Sequence, residues 1–183
     1  MSALWVFVPV LGAAALHAPV LTFDLLKPLK RPLDGGATLG GHRLFGDNKT
    51  WRGAIVMVTG VVLATALLSL WPWYWHHLPG GIQDAGPWLY GVLLGLGVVL
   101  GELPNSFLKR RLGVAPGAQR RSAGGLLLSL YDQADFVLAV WILLLPIWTM
   151  SVAQAAIVFV VVAAAHLVIN LVGYAVGARS API

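Results

Sequence analysis

Residues 87–111 read PWLYGVLLGLGVVLGELPNSFLKRR, and this stretch decides the fold class. Its first 22 residues contain neither lysine nor arginine, and three consecutive cations end it. An apolar helix of ~20 residues is long enough to cross the hydrocarbon core of a bilayer. We therefore predict a transmembrane helix over 87–108 that ends in a basic segment at one membrane surface.

The same alternation of apolar tracts and basic segments extends over the whole chain. Of 183 residues, 58% are apolar and 10% are charged, whereas soluble domains average ~45–50% and ~25%. A water-soluble domain and a disordered tail are therefore excluded, and the lack of cysteine excludes disulfides and thiolate chemistry. We predict an all-α integral membrane protein, a single domain over 1–183, whose five-helix bundle has spans at about 3–26, 53–72, 87–108, 132–149 and 152–177.

The cations predict the orientation of this bundle. All twelve Lys and Arg residues lie in the loops 27–52 and 109–131 or at Arg179, which five spans place on one side. Short positively charged loops stay in the cytoplasm, so we predict a multi-pass protein of the cell membrane with its N-terminus outside and its C-terminus inside. The aromatic loop 72–86 then lies outside, at headgroup level. We attribute the net charge of +5 to this topology and to anionic partners, and expect no nucleic acid.

Small residues in the third span predict its place in the bundle. Gly91 and Gly95 form one pair at a spacing of four, and Gly97 and Gly101 form another. Such pairs let helix backbones approach closely in a membrane. We therefore expect the third span to be central.

Polar residues at the basic end of the third span form the first candidate site. Glu102, Asn105, Ser106 and Lys109 fall at i, i+3, i+4 and i+7, so they share one helical face. A carboxylate inside a span costs ~2.5–3.5 kcal/mol on insertion scales, and such residues usually face a cavity and serve a function. A structural contact of Glu102 with Asn105 or Lys109 is the alternative. Pro104 lacks a backbone donor and is a candidate for a kink.

Two acids at the start of the fourth span form the second candidate site. Asp132 and Asp135 lie three residues apart, on one side of a helix. Mg²⁺ binds through one or two carboxylates together with substrate phosphates. We predict that this pair holds Mg²⁺; the alternative is that the acids complement the helix dipole.

The first basic loop forms the third candidate site. Lys49 and Arg52 stand where the second span begins, a position at which backbone N–H groups also attract anions. We predict phosphate binding here, and the alternative is contact with anionic lipid headgroups. In the first span, His17 precedes Asp24 by seven residues on the same face. The two could line one cavity, and packing of His17 against a neighbouring helix fits the pattern equally well.

Four motifs resemble the CDP-archaeol synthase family, which is related to the bacterial CDP-diacylglycerol synthases. They read PLDG at 32–35, LFGDNKTWRG at 44–53, GELPNSFLKRRLGVAPG at 101–117 and DQADF at 132–136. Residues 112–131 contain no acid, unlike the corresponding part of the bacterial enzymes. The archaeol enzymes are therefore the better match.

The resemblance implies transfer of CMP from CTP to a lipid phosphate, with release of pyrophosphate and with Mg²⁺ as cofactor. It also implies five membrane helices whose cytoplasmic loops form a polar active-site cavity. The expected partners are CTP, a lipid phosphate and the bilayer, and the ether or ester linkage of the lipid stays open. Together with the residue patterns, the resemblance predicts four catalytic residues: Asp132, Asp135, Lys109 and Glu102. Asp132 and Asp135 would bind the metal. The residues predicted to bind the nucleotide or its phosphates are Gly46, Asp47, Asn48, Lys49, Thr50, Arg52, Asn105, Ser106 and Arg110.

Two other classes of function compete with this one. A small transporter would use Glu102, His17 and Asp135 as an intramembrane relay. A non-catalytic membrane protein would bind anionic lipid through its basic loops. Neither accounts for an acidic pair combined with an organised loop on the same side.

Overall fold

The computed structural model describes residues 2–114 and 135–175. The helices of these residues are α1 (Ser2–Trp5), α2 (Val10–Thr22), α3 (Trp51–Ser69), α4 (Pro72–His76), α5 (Gly80–Arg111), α6 (Phe136–Leu144) and α7 (Val152–Ala175). Between α2 and α3 lie a 3₁₀ turn, Lys27–Leu29, and an antiparallel hairpin of strands β1 (Thr38–Leu39) and β2 (His42–Arg43).

Four helical segments of the described residues are long and apolar enough to cross a membrane. They are Ser2–Thr22, Trp51–Ser69, Gly80–Arg111 and Val152–Val172, and they correspond to four of the five predicted spans. The remaining predicted span, 132–149, contains α6, whose 9 residues are fewer than the ~20 that a crossing needs. Residues 132–134 lie outside the described part of the chain. A mainly helical, multi-span architecture is confirmed, and the number of five crossings stays a prediction.

Helix α5 packs against α3 through two of its glycines. A Cβ atom on Gly91 would overlap the hydroxyl of Thr65 on α3. A Cβ atom on Gly95 would lie 3.0 Å from the Cα atom of Val58. The two backbones therefore approach as closely as the small residues allow.

The other two glycines of α5 bring α6 equally close. A Cβ atom on Gly97 would lie 2.7 Å from the Cα atom of Val140, and one on Gly101 would overlap the backbone of Phe136. Since both contacts reach backbone atoms, a larger side chain at either glycine would push the helices apart. The predicted central position of the third span is confirmed, with one glycine pair for each neighbouring helix.

Helix α5 is divided at Gly86. Gly86 has φ 76° and ψ 166°, and it separates the first turns of α5 from the long apolar part that begins at Pro87. This part starts at the residue predicted for the third span. The helix continues through Pro104 with helical dihedral angles, and a bend of its axis there stays a prediction.

The first span is broken near its start, between α1 and α2. The N–H of Val8 bonds to the carbonyl of Trp5 at 3.2 Å and that of Val10 bonds to the carbonyl of Phe7 at 3.1 Å, so each donor reaches three residues back. Pro9 has no N–H group, so the carbonyl of Val6 lacks the donor that this pattern would supply. Two tyrosines of other helices donate to carbonyls of this segment. Tyr74 donates to Trp5 at 2.9 Å, and Tyr90 donates to Val6 at 2.5 Å.

The first basic loop is held together where it enters α3. Thr50 caps the helix, because its hydroxyl accepts a hydrogen bond from the N–H of Gly53 at 3.1 Å. Pro32 and Thr50 form an antiparallel bridge, and the N–H of Leu33 donates to the carbonyl of Lys49 at 2.8 Å. The end of the loop is therefore fixed against its start, and the residues next to the α3 start have defined positions.

Candidate active site

A cavity of about 480 Å³ lies among helices α1, α2, α3, α5, α6 and α7. Most of its lining is apolar and comes from α1, α2 and α7. Four of the lining residues carry titratable side chains, namely His17, Glu102, Asp135 and His166. The cavity is therefore an apolar chamber into which two carboxylates and two imidazoles reach. His17 lines it, which is one of the two alternatives left open by the sequence, whereas Asp24 does not belong to the lining.

Glu102 forms an ion pair with Lys49. The two side chains come from α5 and from the first loop, and their charged atoms are in direct contact. Both are mostly shielded, with 28% of the Glu102 and 21% of the Lys49 side chain exposed. This ion pair joins two predicted site residues from distant parts of the chain.

Asp135 lies just before α6 and is buried, with 5% of its surface exposed. It accepts a hydrogen bond of 3.1 Å from the amide of Asn105, which is itself 1% exposed. The face of α5 that carries Glu102 and Asn105 therefore meets the predicted acidic motif. Its other acid, Asp132, lies outside the described residues.

The remaining predicted residues of α5 occupy its last turns. Ser106 and Arg110 are buried, and Lys109 is partly buried. The guanidinium of Arg110 donates to the carbonyl of Val114, just beyond the end of the helix. In this arrangement Arg110 stabilises the turn that leaves α5.

Arg52 is buried and joins α3 to the end of α2. Its guanidinium donates to Asp24 at 2.7 Å and to the carbonyl of Leu25 at 3.0 Å. The bond from Arg52 is the main cause that lowers the pKa of Asp24. Asp24 and Leu26 have φ angles of 45° and 55°, a region that non-glycine residues rarely adopt. The Arg52 bonds therefore stabilise a strained turn beside the cavity.

A second acid-centred network orders the hairpin of the first loop. Asp34 has a fully buried side chain that accepts bonds from Arg43 at 2.6 Å and from the N–H of Phe45 at 3.0 Å. The N–H of Gly46, at φ 96°, also points to Asp34, at 3.3 Å. Arg43 continues to Asp47 at 2.5 Å. Of the predicted nucleotide-binding residues, Gly46 and Asp47 thus belong to this network, while Asn48 is exposed beside it.

Arg111 connects this hairpin to the end of α5. Its guanidinium donates to the backbone carbonyls of Leu39, His42 and Arg43, and it lies 4.9 Å from the ring centre of Phe107. Sequence reasoning included Arg111 only as one cation of a cluster. Its position before a loop glycine, Gly113, at the end of a helix, was the available signal for a connecting role.

The carboxylates are the groups of this site that could hold a metal ion. In the ranges 2–114 and 135–175, no group of three or more His, Asp and Glu side chains has the arrangement of a metal site. Glu102 and Asp135 nevertheless line one cavity, and two hard oxygen donors suit an ion that takes its other ligands from phosphate and water. The donor set therefore fits Mg²⁺ bound together with a nucleotide, and it does not resemble a closed protein cage.

Comparison with known proteins gives a consistent set of relatives. The model of the CarS-like CDP-archaeol synthase family matches residues 2–183. The CDP-archaeol synthase of Halobacterium salinarum is 40% identical over 159 residues, which cover 83% of either chain. That of Thermococcus onnurineus is 33% identical over 183 residues, with 99% of this chain and 97% of the relative covered. A solved intramembrane enzyme for archaeal membrane lipids biosynthesis is similar with a TM-score of 0.67, at 25% identity and 92% coverage of both chains.

Proposed function

Since the chain belongs to the CDP-archaeol synthase family, we propose that it transfers CMP from CTP to a membrane lipid phosphate of the archaetidic-acid type. It is a CTP-dependent nucleotidyltransferase of membrane lipid biosynthesis and a multi-pass membrane protein. The ether linkage of the lipid and the need for Mg²⁺ are parts of the proposal.

The observation that carries the proposal is the double character of the cavity. Its lining is mostly apolar, yet Glu102 and Asp135 reach into it and Lys49 bonds to Glu102. A lipid phosphate has the same double character, because its chains are apolar and its headgroup is anionic. A chamber of this kind would hold the lipid beside groups that bind a nucleotide.

The proposed reaction needs charge stabilisation more than it needs a strong base. An oxygen of the lipid phosphate attacks the α-phosphorus of CTP, and the bond from that phosphorus to the bridging oxygen of pyrophosphate breaks. The nucleophile is already an anion, so the barrier comes from bringing two polyanions together and from the charge on the leaving group. Fixing both reactants in one chamber lowers that barrier further.

We propose that Asp135 and Asp132, together with Glu102, hold Mg²⁺. When bound, the ion supplies Lewis-acid stabilisation of the triphosphate. The hydrogen bond from Asn105 keeps the Asp135 carboxylate oriented, which is the usual role of a residue behind a metal ligand.

The Lys49–Glu102 ion pair joins a cation of the first loop to a carboxylate that lines the mostly apolar chamber. Each charge neutralises the other. We propose that the triphosphate draws Lys49 away and that Glu102 becomes available as a ligand. The exchange replaces one charge-assisted contact by another, so its free-energy cost is small.

The other predicted residues receive two proposed roles. We propose direct phosphate contacts for Asn48, which is exposed on the first loop, and for Lys109, which lies in the basic last turn of α5. We propose that the remaining ones shape the site, because Ser106 is buried and the others bond to the protein itself: Gly46, Asp47, Thr50, Arg52, Asn105, Ser106 and Arg110.

We further propose five crossings, with α6 part of the fourth and with the chamber opening toward the cytoplasm of a cell-membrane protein. The cation distribution supports this orientation, since all twelve Lys and Arg residues would then lie inside. The N-terminus would lie outside and the C-terminus inside.

One arrangement also fits the competing transporter hypothesis. His17, Glu102 and Asp135 line the same cavity, as an intramembrane relay would require. A relay has no use for CTP, however, and the relatives are CDP-archaeol synthases by name.

A transfer assay with purified full-length protein tests the proposal. Labelled CTP, Mg²⁺ and either an ether-linked or an ester-linked lipid phosphate are incubated with the wild type, with Asp135→Asn and with Asp84→Asn. Asp84 is an exposed carboxylate near the start of α5 and serves as the matched control.

We expect a CDP-lipid from the ether-linked lipid, and for Asp135→Asn a loss of several kcal/mol of stabilisation, or about 100-fold or more in turnover. Asparagine can still accept the bond from Asn105, so the variant should remain folded. A wild type that forms no CDP-lipid from CTP, or normal turnover of Asp135→Asn, would contradict the proposal.

A further inference from the structure

His17 continues an apolar stripe of α2 that faces the cavity. Val10, Ala13 and Ala14 line the cavity from the same helix, and His17 is the next lining residue on that face. These positions follow the i, i+3, i+4, i+7 spacing of one helical surface. At 1.5 Å per residue, His17 lies about 10 Å beyond Val10 along the helix axis. The stripe therefore changes from apolar to polar within the length of the cavity.

The imidazole of His17 is available to a ligand. Within 2–114 and 135–175 neither of its ring nitrogens takes part in a hydrogen bond, and neither is sealed away from the cavity. A polar side chain inside a membrane helix is normally bonded to a neighbour or faces a pathway that the protein uses. Its Nε2 atom points toward the first turn of α3, 3.8 Å from where a Cβ atom of Gly53 would stand.

Charges of both signs surround His17. It interacts electrostatically with Glu102, Arg52 and Lys49, and the two cations lie in ion pairs, Lys49 with Glu102 and Arg52 with Asp24. Two further titratable groups line the same cavity, namely Asp135 from the start of α6 and His166 from α7. The cations lie on the side of α3 and the first loop, which is also the side that Nε2 faces.

We propose that His17 binds the phosphate headgroup of the lipid substrate, with the lipid chains lying along the apolar stripe of α2. This inference rests on the proposed function and assigns the lipid half of the same site. The imidazole donates a hydrogen bond to a non-bridging phosphate oxygen and neither takes nor gives a proton during the transfer. His17 then determines how the lipid is positioned, whereas CTP binding depends on other residues.

Steady-state kinetics of the full-length protein in detergent test this inference. The KM of each substrate is measured for the wild type, for His17→Leu and for His17→Gln, with a diether glycerol phosphate lipid, CTP and Mg²⁺. His76→Leu is the matched control, because His76 is an exposed imidazole of α4, away from the cavity lining. Thermal unfolding verifies that each variant is folded, and His17→Ala replaces His17→Leu if the latter is not.

We expect His17→Leu to raise the KM of the lipid about tenfold or more and to leave the KM of CTP within about twofold of the wild type. His17→Gln keeps an N–H donor, so it should recover most of the lipid affinity, and His76→Leu should behave as the wild type. An unchanged lipid KM in His17→Leu, or an equal rise in the KM of CTP, overturns the inference. A wild-type protein that forms no CDP-lipid would instead overturn the proposed function.

Discussion

The two ends of the helix bundle use their polar side chains for different purposes. At the end formed by α1, α4 and the start of α5, Trp5 and Trp73 pack edge to face with ring centres 5.1 Å apart. Tyr90 donates to the carbonyl of Val6, which Pro9 leaves without a backbone donor, and Tyr74 donates to the carbonyl of Trp5. Burial raises the pKa of Tyr74 to about 12, so its hydroxyl stays protonated and remains a donor.

At the opposite end, charged side chains form ion pairs with one another. Lys49 bonds to Glu102, Arg52 to Asp24, and Asp34 to Arg43. Each of these pairs joins segments that are distant in sequence or belong to different elements. The ion pairs therefore fix the loop against the helices and concentrate charge beside the cavity.

The difference separates polar groups that serve the fold from those that can serve catalysis. A tyrosine bonded to an orphan carbonyl has no better partner available, because leaving the carbonyl unpaired in an apolar interior is costly. A lysine bonded to a carboxylate can exchange that carboxylate for a phosphate of equal or greater charge. Substitutions at the two ends should therefore affect different measurements.

The largest expected effect concerns the sidedness of the two ends. We expect cysteines introduced by His76→Cys and Thr38→Cys to react with a membrane-impermeant thiol reagent from opposite sides, in an all-or-none manner. Both residues are exposed, and the native chain has no cysteine that would give background. Labelling is measured in intact cells and in inverted vesicles. Reaction of both cysteines from the same side would refute the orientation with the N-terminus outside.

A smaller effect is expected for the ion pair at the loop end. Lys49→Ala should weaken CTP binding by about 1.5–3 kcal/mol, because a charge-assisted hydrogen bond to phosphate is lost. Lys30→Ala is the matched control, since Lys30 is an exposed cation of the same loop that pairs with Asp24. Binding is measured by titration with CTP and Mg²⁺ in detergent. Equal losses in the two variants would mean that the loop acts only as a general basic surface.

A still smaller effect is expected at the end formed by α1, α4 and the start of α5. Tyr90→Phe removes the donor to the buried carbonyl of Val6 and should reduce the free energy of unfolding by about 1 kcal/mol. Turnover and both KM values should stay at the wild-type level. Tyr174→Phe, at an exposed position of α7, controls for loss of a hydroxyl. A changed KM in Tyr90→Phe would show that this end is coupled to the site.

The sequence contains enough local information to predict the fold, for an identifiable physical reason. The spacing of Gly91, Gly95, Gly97 and Gly101 is a local pattern. It indicated which helix is central and which of its residues contact the neighbouring helices. The cation-free tracts likewise marked the apolar helices. The break at Gly86 was not predicted, because only the folded chain reveals that this glycine adopts a positive φ.

The candidate site was less predictable because its bonds connect distant parts of the chain. Lys49 and Glu102 are 53 residues apart, and each has several possible partners of opposite charge in the sequence. The Arg52 bond to Asp24 depends on a strained turn that no local pattern encodes. The types of residue needed for phosphate and metal binding could be read from the sequence, and their pairing could not.

The smallest expected effect is a pH dependence in the hairpin network of the loop end. Burial by itself raises the pKa of Asp34, but the bonds from Arg43 and from the backbone N–H groups of Phe45, Gly36 and Gly46 outweigh it and hold the pKa far below the usual 3.8. A pKa that is lower in the folded than in the unfolded chain gives stability above the unfolded value, and this stability is lost as the pH falls through the folded value. Asp34→Asn should therefore lower the midpoint of thermal unfolding by the same amount at every pH from about 5 to 8, and the difference from the wild type should shrink only below about pH 4. Midpoints of both proteins across this range provide the measurement. If the difference in unfolding midpoint already shrinks between pH 5 and 8, the Asp34 carboxylate takes up protons in that range. The hairpin network would then not be a purely structural part of this end.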